Sequence, residues 1–254
     1  MEIKQIGNFQ AIALILIIVI NYLVLGTPRT LIAETGTGTI LNMFYVFLVT
    51  IILVFIVTKL FNNFKGKDIV DISEFLGGKV LKFIVGIVYI LYFLLILSTT
   101  VRIIVQDLEI IYFENVSISV LTLLIIASIV FVYKYGSSAI IKCNSIIAPI
   151  AGIIILVIAF SNIQDFSLDR IFPILGFGAK ETFITGASNI FAYSGLAILY
   201  FIMPMLKDSR NFKKISIVST ILIGILIIGS VSSLVLSFPY IENINEISSL
   251  YVES

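Results

Sequence analysis

Between Phe9 and Phe238 the chain is built of long apolar runs separated by short charged segments. A helix needs about 20 consecutive apolar residues to cross a bilayer. Seven runs meet that length: residues 9–34, 39–60, 83–106, 118–134, 140–160, 185–206 and 214–238, the fourth being the shortest. Charged residues make up 12% of the chain and mean hydropathy is +1.16. Soluble domains carry roughly 25% charged residues, so the composition is that of an all-α integral membrane protein. The expected organisation is a single transmembrane domain over residues 1–254.

The first run is interrupted. Ala11 to Leu25 is almost unbroken aliphatic sequence, then Gly26, Thr27, Pro28 and Arg29 precede a second apolar piece, Leu31-Ile32-Ala33. Proline removes a backbone donor and clashes with the preceding turn, and glycine weakens the helix further. Backbone groups freed inside a bilayer need protein or a watery cavity to receive them. Broken membrane helices therefore point to ligand or ion sites. The other reading is a helix that ends at Gly26 and gives way to an outer loop.

The sixth run is the second anomaly. It carries Gly186-Ala187-Ser188-Asn189 and Ala192-Tyr193-Ser194-Gly195, small and polar residues near its middle, and Pro204. Gly-Ser neighbours are a place for a helix to kink or unwind. Interruptions in spans one and six, five apart, are the arrangement of inverted five-helix repeats whose broken helices meet at mid-membrane. A five-plus-five architecture needs three spans more than the seven found here, so the expectation is such a fold lacking its last three helices.

Lys and Arg placement orients the chain. With the N-terminus in the cytoplasm, twelve of the 16 basic residues fall in inner segments, and only Arg29, Arg102, Arg170 and Lys180 fall outside. The inner loop from Phe64 to Lys79 reads as a short amphipathic helix, with Ile69, Ile72, Phe75 and Leu76 on one face. Asp68 is its N-cap, and Gly77 or Gly78 its C-cap. Span three carries Tyr89, Tyr92, Ser98, Thr99 and Thr100. Tyr92 and Thr99 share a face and serve either as interhelical glue or as a cavity lining. Pro149 and Gly152 suggest a kink in span five. Gln164 to Thr185 is too polar to span and reads as an outer re-entrant or interfacial segment.

There is no histidine, which excludes histidine-based catalysis and histidine-ligated metal. The lone Cys143 cannot form an internal disulfide or a cysteine cluster, and its isoleucine neighbours suggest a buried thiol. Net charge is +1, which argues against a nucleic-acid partner. No nucleophile–base pair or metal cluster can be assembled, so the expectation is neither an enzyme nor a cofactor protein.

Five stretches, in order, carry a family likeness: Leu25-Gly26-Thr27-Pro28-Arg29-Thr30-Leu31, Phe64 to Glu74, Val88-Tyr89-Ile90-Leu91-Tyr92-Phe93, Phe172-Pro173-Ile174-Leu175-Gly176 and Phe191-Ala192-Tyr193-Ser194-Gly195. Across nearly the whole chain the sequence resembles the endospore germination permease family, the membrane B-subunit of nutrient germinant receptors. That family lies within the amino acid–polyamine–organocation (APC) transporter superfamily. The resemblance implies a LeuT-like ten-helix fold in the spore inner membrane. It implies a small nutrient ligand (amino acid, sugar or nucleoside) and two partners, an A-type membrane subunit and a C-type lipoprotein. One departure is Ala197, where members commonly carry an acidic residue two positions after the sixth-helix glycine.

The expected ligand site lies between the two interruptions. Gly26, Thr27, Pro28, Tyr193, Ser194 and Gly195 would frame it, and Tyr92 and Thr99 would face it from span three. Half-helix N-termini would hold a ligand carboxylate. A working amino acid or ion transporter is the second reading, although no span carries a clearly central acidic residue; Glu34 lies close to the outer end of span one. A non-binding scaffold subunit is the third.

Overall fold

The computed structural model describes residues 5–24, 27–113, 116–134 and 136–238. Among them the first run forms two helices, α1 (Asn8–Val24) and α2 (Thr27–Thr35). One 3-10 turn, Gly36–Gly38, leads into α3 (Thr39–Asn62). Next come α4 (Ile69–Tyr112), α5 (Ile118–Lys134) and α6 (Ser137–Ser161). Short 3-10 turns then lead to α7 (Ala179–Phe183), a long 3-10 helix over Thr185–Ile198, α8 (Leu199–Ile202) and α9 (Phe212–Ser237). Among the described residues five helical stretches are long and apolar enough to cross a membrane, and two shorter apolar helices, Asn8–Asn21 and Ile118–Val132, accompany them. Seven spans are consistent with that set.

The interruption expected in span one falls on Leu25 and Gly26, which lie outside the described residues; helix is described up to Val24 and again from Thr27. Pro28 is buried in α2. Span six differs from expectation. It does not unwind at Ser194; its backbone runs as 3-10 helix straight through that residue. Runs of 3-10 beyond three or four residues are uncommon because side chains at i and i+3 eclipse. This segment tolerates the eclipse by placing small residues there. Gly186, Asn189, Ala192 and Gly195 are all buried at three-residue intervals, and Tyr193, Leu196, Leu199 and Ile202 form a second row.

Lipid is as apolar as leucine, so membrane helices associate through close packing and polar contacts more than through the hydrophobic effect. The core follows that rule. It is shared by α1, α3, α9 and the long 3-10 helix, with α6 against α1 and α9. A Cβ on Gly195 would stand 2.9 Å from methyl groups of both Ile18 and Val19. Glycine there lets the 3-10 helix lie directly on α1. The other half of the chain is peripheral: α4 pairs with α5 around Val101, Val105 and Leu121, and turns most of its apolar surface outward. It reaches span six through aromatic contacts of Tyr89 with Tyr200 and Phe201 and of Phe93 with Phe201.

The inner loop folds as a helix, as read from the sequence. Asp68 caps it by accepting from the Asp71 N–H at 2.8 Å. Gly77 and Gly78 leave helical geometry and bend it away from the rest of α4. Lys82 reaches back across that bend to Glu74 at 2.6 Å. The hydrogen bond and charge of Lys82 hold the Glu74 carboxyl below its usual range. Of the expected apolar face, Ile72 is buried while Phe75 and Leu76 are exposed. At the same end, Ile6 and Leu206 form a parallel bridge: Ile6 N–H donates to Met205 and Lys207 N–H to Ile6.

Cys143 corrects an expectation, because its thiol is exposed. The residue opens a stripe of α6 that continues through Ile146, Ile147, Ile150, Ile153, Ile154 and Val157, all exposed. Isoleucine neighbours therefore marked an outward, lipid-compatible face and not a core.

At the opposite end, Arg170 closes α9. Its Nη1 donates to the carbonyls of Asp165 at 3.0 Å, Leu236 at 2.7 Å and Ser237. The last four carbonyls of a helix lack intrahelical donors and carry its negative dipole end, so a cation is favourable there. Arg170→Gln is expected to cost about 1–2 kcal/mol. Hydrogen exchange in the last turn of α9 should accelerate while the middle of the helix is unchanged.

Candidate functional site

Two of the elements flagged in the sequence, α2 and the long 3-10 helix, enclose a groove of about 280 Å³. Thr30, Leu31 and Glu34 form one wall, and Ser188, Asn189, Phe191 and Ala192 the other. Helical spacing explains the first set: residues three and four apart share a face. Spacing of three in the 3-10 helix sets Asn189 and Ala192 together on the second wall.

A buried polar knot fixes the wall positions. Thr35, Thr39 and Asn42 are fully buried, as is Thr182, and Asn189 is 5% exposed. Asn42 Nδ2 donates to the carbonyls of Thr182 at 2.6 Å and Gly186 at 2.9 Å. Asn189 Nδ2 donates to Asn42 Oδ1 at 2.8 Å. The Thr35 and Thr39 hydroxyls lie 2.8 Å apart, and Thr35 also donates to the Leu31 carbonyl. Thr182 Oγ1 donates to the Leu175 carbonyl at 2.8 Å, and Thr37 Oγ1 to that of Pro173 at 2.6 Å. The start of α3 is thereby tied to the segment that feeds span six.

The expected site residues are partly brought together. Gly26 lies outside the described residues. Thr27 heads α2, and Pro28 is buried within it. Tyr92 Oη donates to the Ser194 carbonyl at 3.0 Å, joining span three to span six. Tyr193 is 3% exposed, and its hydroxyl has no hydrogen-bond partner among the described residues. Gly195 is taken up by its contact with α1. Thr99 stands apart: it is exposed, and its hydroxyl donates to the Leu95 and Ile96 carbonyls of its own helix. Tyr193, Ser194 and Gly195 directly follow Ala192 of the groove wall.

The lining itself was not singled out from sequence, apart from the notice of Glu34 at the outer end of span one. The missed signal was the three-residue period of Gly186, Asn189, Ala192 and Gly195. Asn42 had no local pattern, because its partners lie some 140 residues away. Among the described residues no group of three or more His, Cys, Asp or Glu could hold a metal ion. Glu34 forms no ion pair among them.

Comparison with known proteins gives a consistent picture. A family model described as "Spore germination protein" matches residues 5–245. Spore germination protein B2 of Bacillus subtilis (strain 168) is 25% identical over 192 residues, covering 75% of this chain and 52% of that protein. Spore germination protein YndE of the same organism is 24% identical over 210 residues, covering 80% of this chain and 58% of that protein. The chain spans little more than half the length of these relatives. No solved structure matches it.

Proposed function

The chain belongs to the spore germination protein family, and from that premise we propose that it is the membrane subunit of a nutrient germinant receptor that holds a small nutrient in the groove between α2 and the 3-10 helix. The observation that carries this reading is the placement of the groove. It opens between the two spans whose sequences break the regular helical pattern, beside an uncommonly long 3-10 run. Such departures from regular helix concentrate at functional sites in membrane proteins.

The remaining parts of the proposal follow the family likeness. The fold is one version of the five-plus-five inverted-repeat plan, set in the spore inner membrane with its N-terminus in the cytoplasm. An A-type membrane subunit and a C-type lipoprotein are its partners. Binding acts as a signal only where the ligand prefers one conformer, since equal affinity for two states shifts nothing.

Ser188 provides the test. It is exposed on the groove wall, and its hydroxyl bonds only to the Thr185 carbonyl among the described residues. Ser188→Trp fills the groove without touching the core. Binding of L-alanine, D-glucose and adenosine to the chain in nanodiscs is the measurement. Whichever of these binds the unmodified protein is expected to lose at least about tenfold in affinity, an effect of about 1.4 kcal/mol. Ser128→Trp, on the exposed face of α5, is expected to bind normally. Equal binding by both variants would remove the groove from the mechanism, and uptake of label into proteoliposomes would favour a transporter instead.

A further inference from the structure

The hydrogen-bond logic of the knot decides what the groove can recognise. Asn42 Nδ2 faces two main-chain carbonyls, which only accept, so the orientation of the Asn42 amide is fixed. Its Oδ1 can then take only a donor, and Asn189 must present Nδ2 to it, as it does at 2.8 Å. Asn189 Oδ1 is left over, and it takes no hydrogen bond from any described residue although Asn189 is 95% buried and lines the groove. Ser188 spends its single proton on the Thr185 carbonyl, so its oxygen offers lone pairs. Glu34 adds its carboxyl oxygens to the same groove.

Beside Thr30, the polar lining of the groove is thus oxygen acceptors from Glu34, Ser188 and Asn189, set among the apolar residues Leu31, Phe191 and Ala192. The groove volume of about 280 Å³ is close to the lower bound of ligand pockets, about 300 Å³. A small occupant with several N–H donors, a positive charge and a short apolar body complements the acceptors and the apolar residues. We propose that this groove is a recognition site for the ammonium group of a small amine-bearing nutrient, with Glu34 supplying the countercharge and Asn189 Oδ1 a fixed acceptor. The proposal rests on the receptor reading above and adds the chemical class of its ligand.

The test uses the whole chain in nanodiscs and four probes: L-alanine, L-alaninamide (ammonium kept, carboxylate removed), propionate (carboxylate kept, ammonium removed) and sodium chloride. Alaninamide is expected to compete with labelled L-alanine, and propionate and sodium are not. Glu34→Gln, nearly isosteric and at an exposed position, is expected to weaken alaninamide binding about 10- to 100-fold, the range for a hydrogen bond to a charged group. Glu34→Asp is expected to recover part of the loss. Propionate competing as well as alaninamide, sodium competing as well as alaninamide, or unchanged binding in Glu34→Gln would each overturn the proposal. Glucose or adenosine binding that is blocked by Ser188→Trp and indifferent to Glu34→Gln would overturn the ammonium assignment while leaving the receptor reading standing. Absence of binding by every probe would remove both.

Discussion

Asn42→Leu is expected to destabilise the protein by about 3 kcal/mol or more, the largest effect of any single side chain in the groove's support. The substitution keeps volume and removes all three hydrogen bonds of a fully buried amide. The carbonyls of Thr182 and Gly186 would lose this donor, and the amide of Asn189 its acceptor. Each buried unsatisfied group costs about 1–3 kcal/mol. Partners found by the unfolded chain within the membrane reduce such values, which is why the estimate stays near the lower end of the sum. Asn42→Asp is expected to be worse than leucine, since it sets an acceptor against two carbonyls. Thermal melts in detergent check the series. A leucine variant within about 0.5 kcal/mol of the parent, the scale of an inert surface change, would show that the knot is incidental. The binding readouts should follow, because Asn189 loses the bond that aims its Oδ1.

Gly176→Ala is expected to be nearly as severe, by a different mechanism. Gly176 has φ +54°, and a Cβ there would collide with the Thr35 carbonyl oxygen and the Gly38 nitrogen, both main-chain atoms that cannot swing aside. The left-handed conformation alone costs a non-glycine residue about 1–2 kcal/mol. The collision adds to this by forcing the Pro173–Gly178 segment off the α2–α3 junction, with loss of the Thr37–Pro173 and Thr182–Leu175 hydrogen bonds. Gly66 separates the two terms. It has φ +77°, and nothing lies within 4 Å of its Cβ position. Gly66→Ala should therefore show the conformational cost alone, and Gly176→Ala a total of about 3 kcal/mol or more. Equal shifts in the two melts would mean that the outer segment yields freely.

Much of this architecture was legible in the sequence because membrane spans are a matter of length and composition. The apolar runs matched α3, α5, α6 and α9 within a few residues. Asp68 was readable as a cap because the capping bond is local, three residues away. Burial on α6 was not readable: an isoleucine facing lipid and one facing protein look alike, and Cys143 was misplaced for that reason. The form of span six was also hidden. Glycine and serine lower the stability of an α-helix, but whether it then unwinds or tightens depends on what holds its ends. Here Asn42, far away in sequence, grips the carbonyl of Gly186. Ser188 and Asn189 stood out as polar residues of span six, but their place on a groove wall was hidden because the opposite wall comes from α2, some 155 residues earlier.

Tightened winding also makes length a variable in this part of the molecule. A 3-10 helix rises about 2.0 Å per residue and an α-helix about 1.5 Å. Rewinding the 14 residues from Thr185 to Ile198 would shorten the rod by about 7 Å. It would also screw one end against the other. Asn42 clamps the rod near one terminus, and Ile6 grips the strand beyond the other through Met205 and Lys207. With both extremities held, the segment cannot rewind as α-helix without parting from the Asn42 amide at one end or from Ile6 at the other.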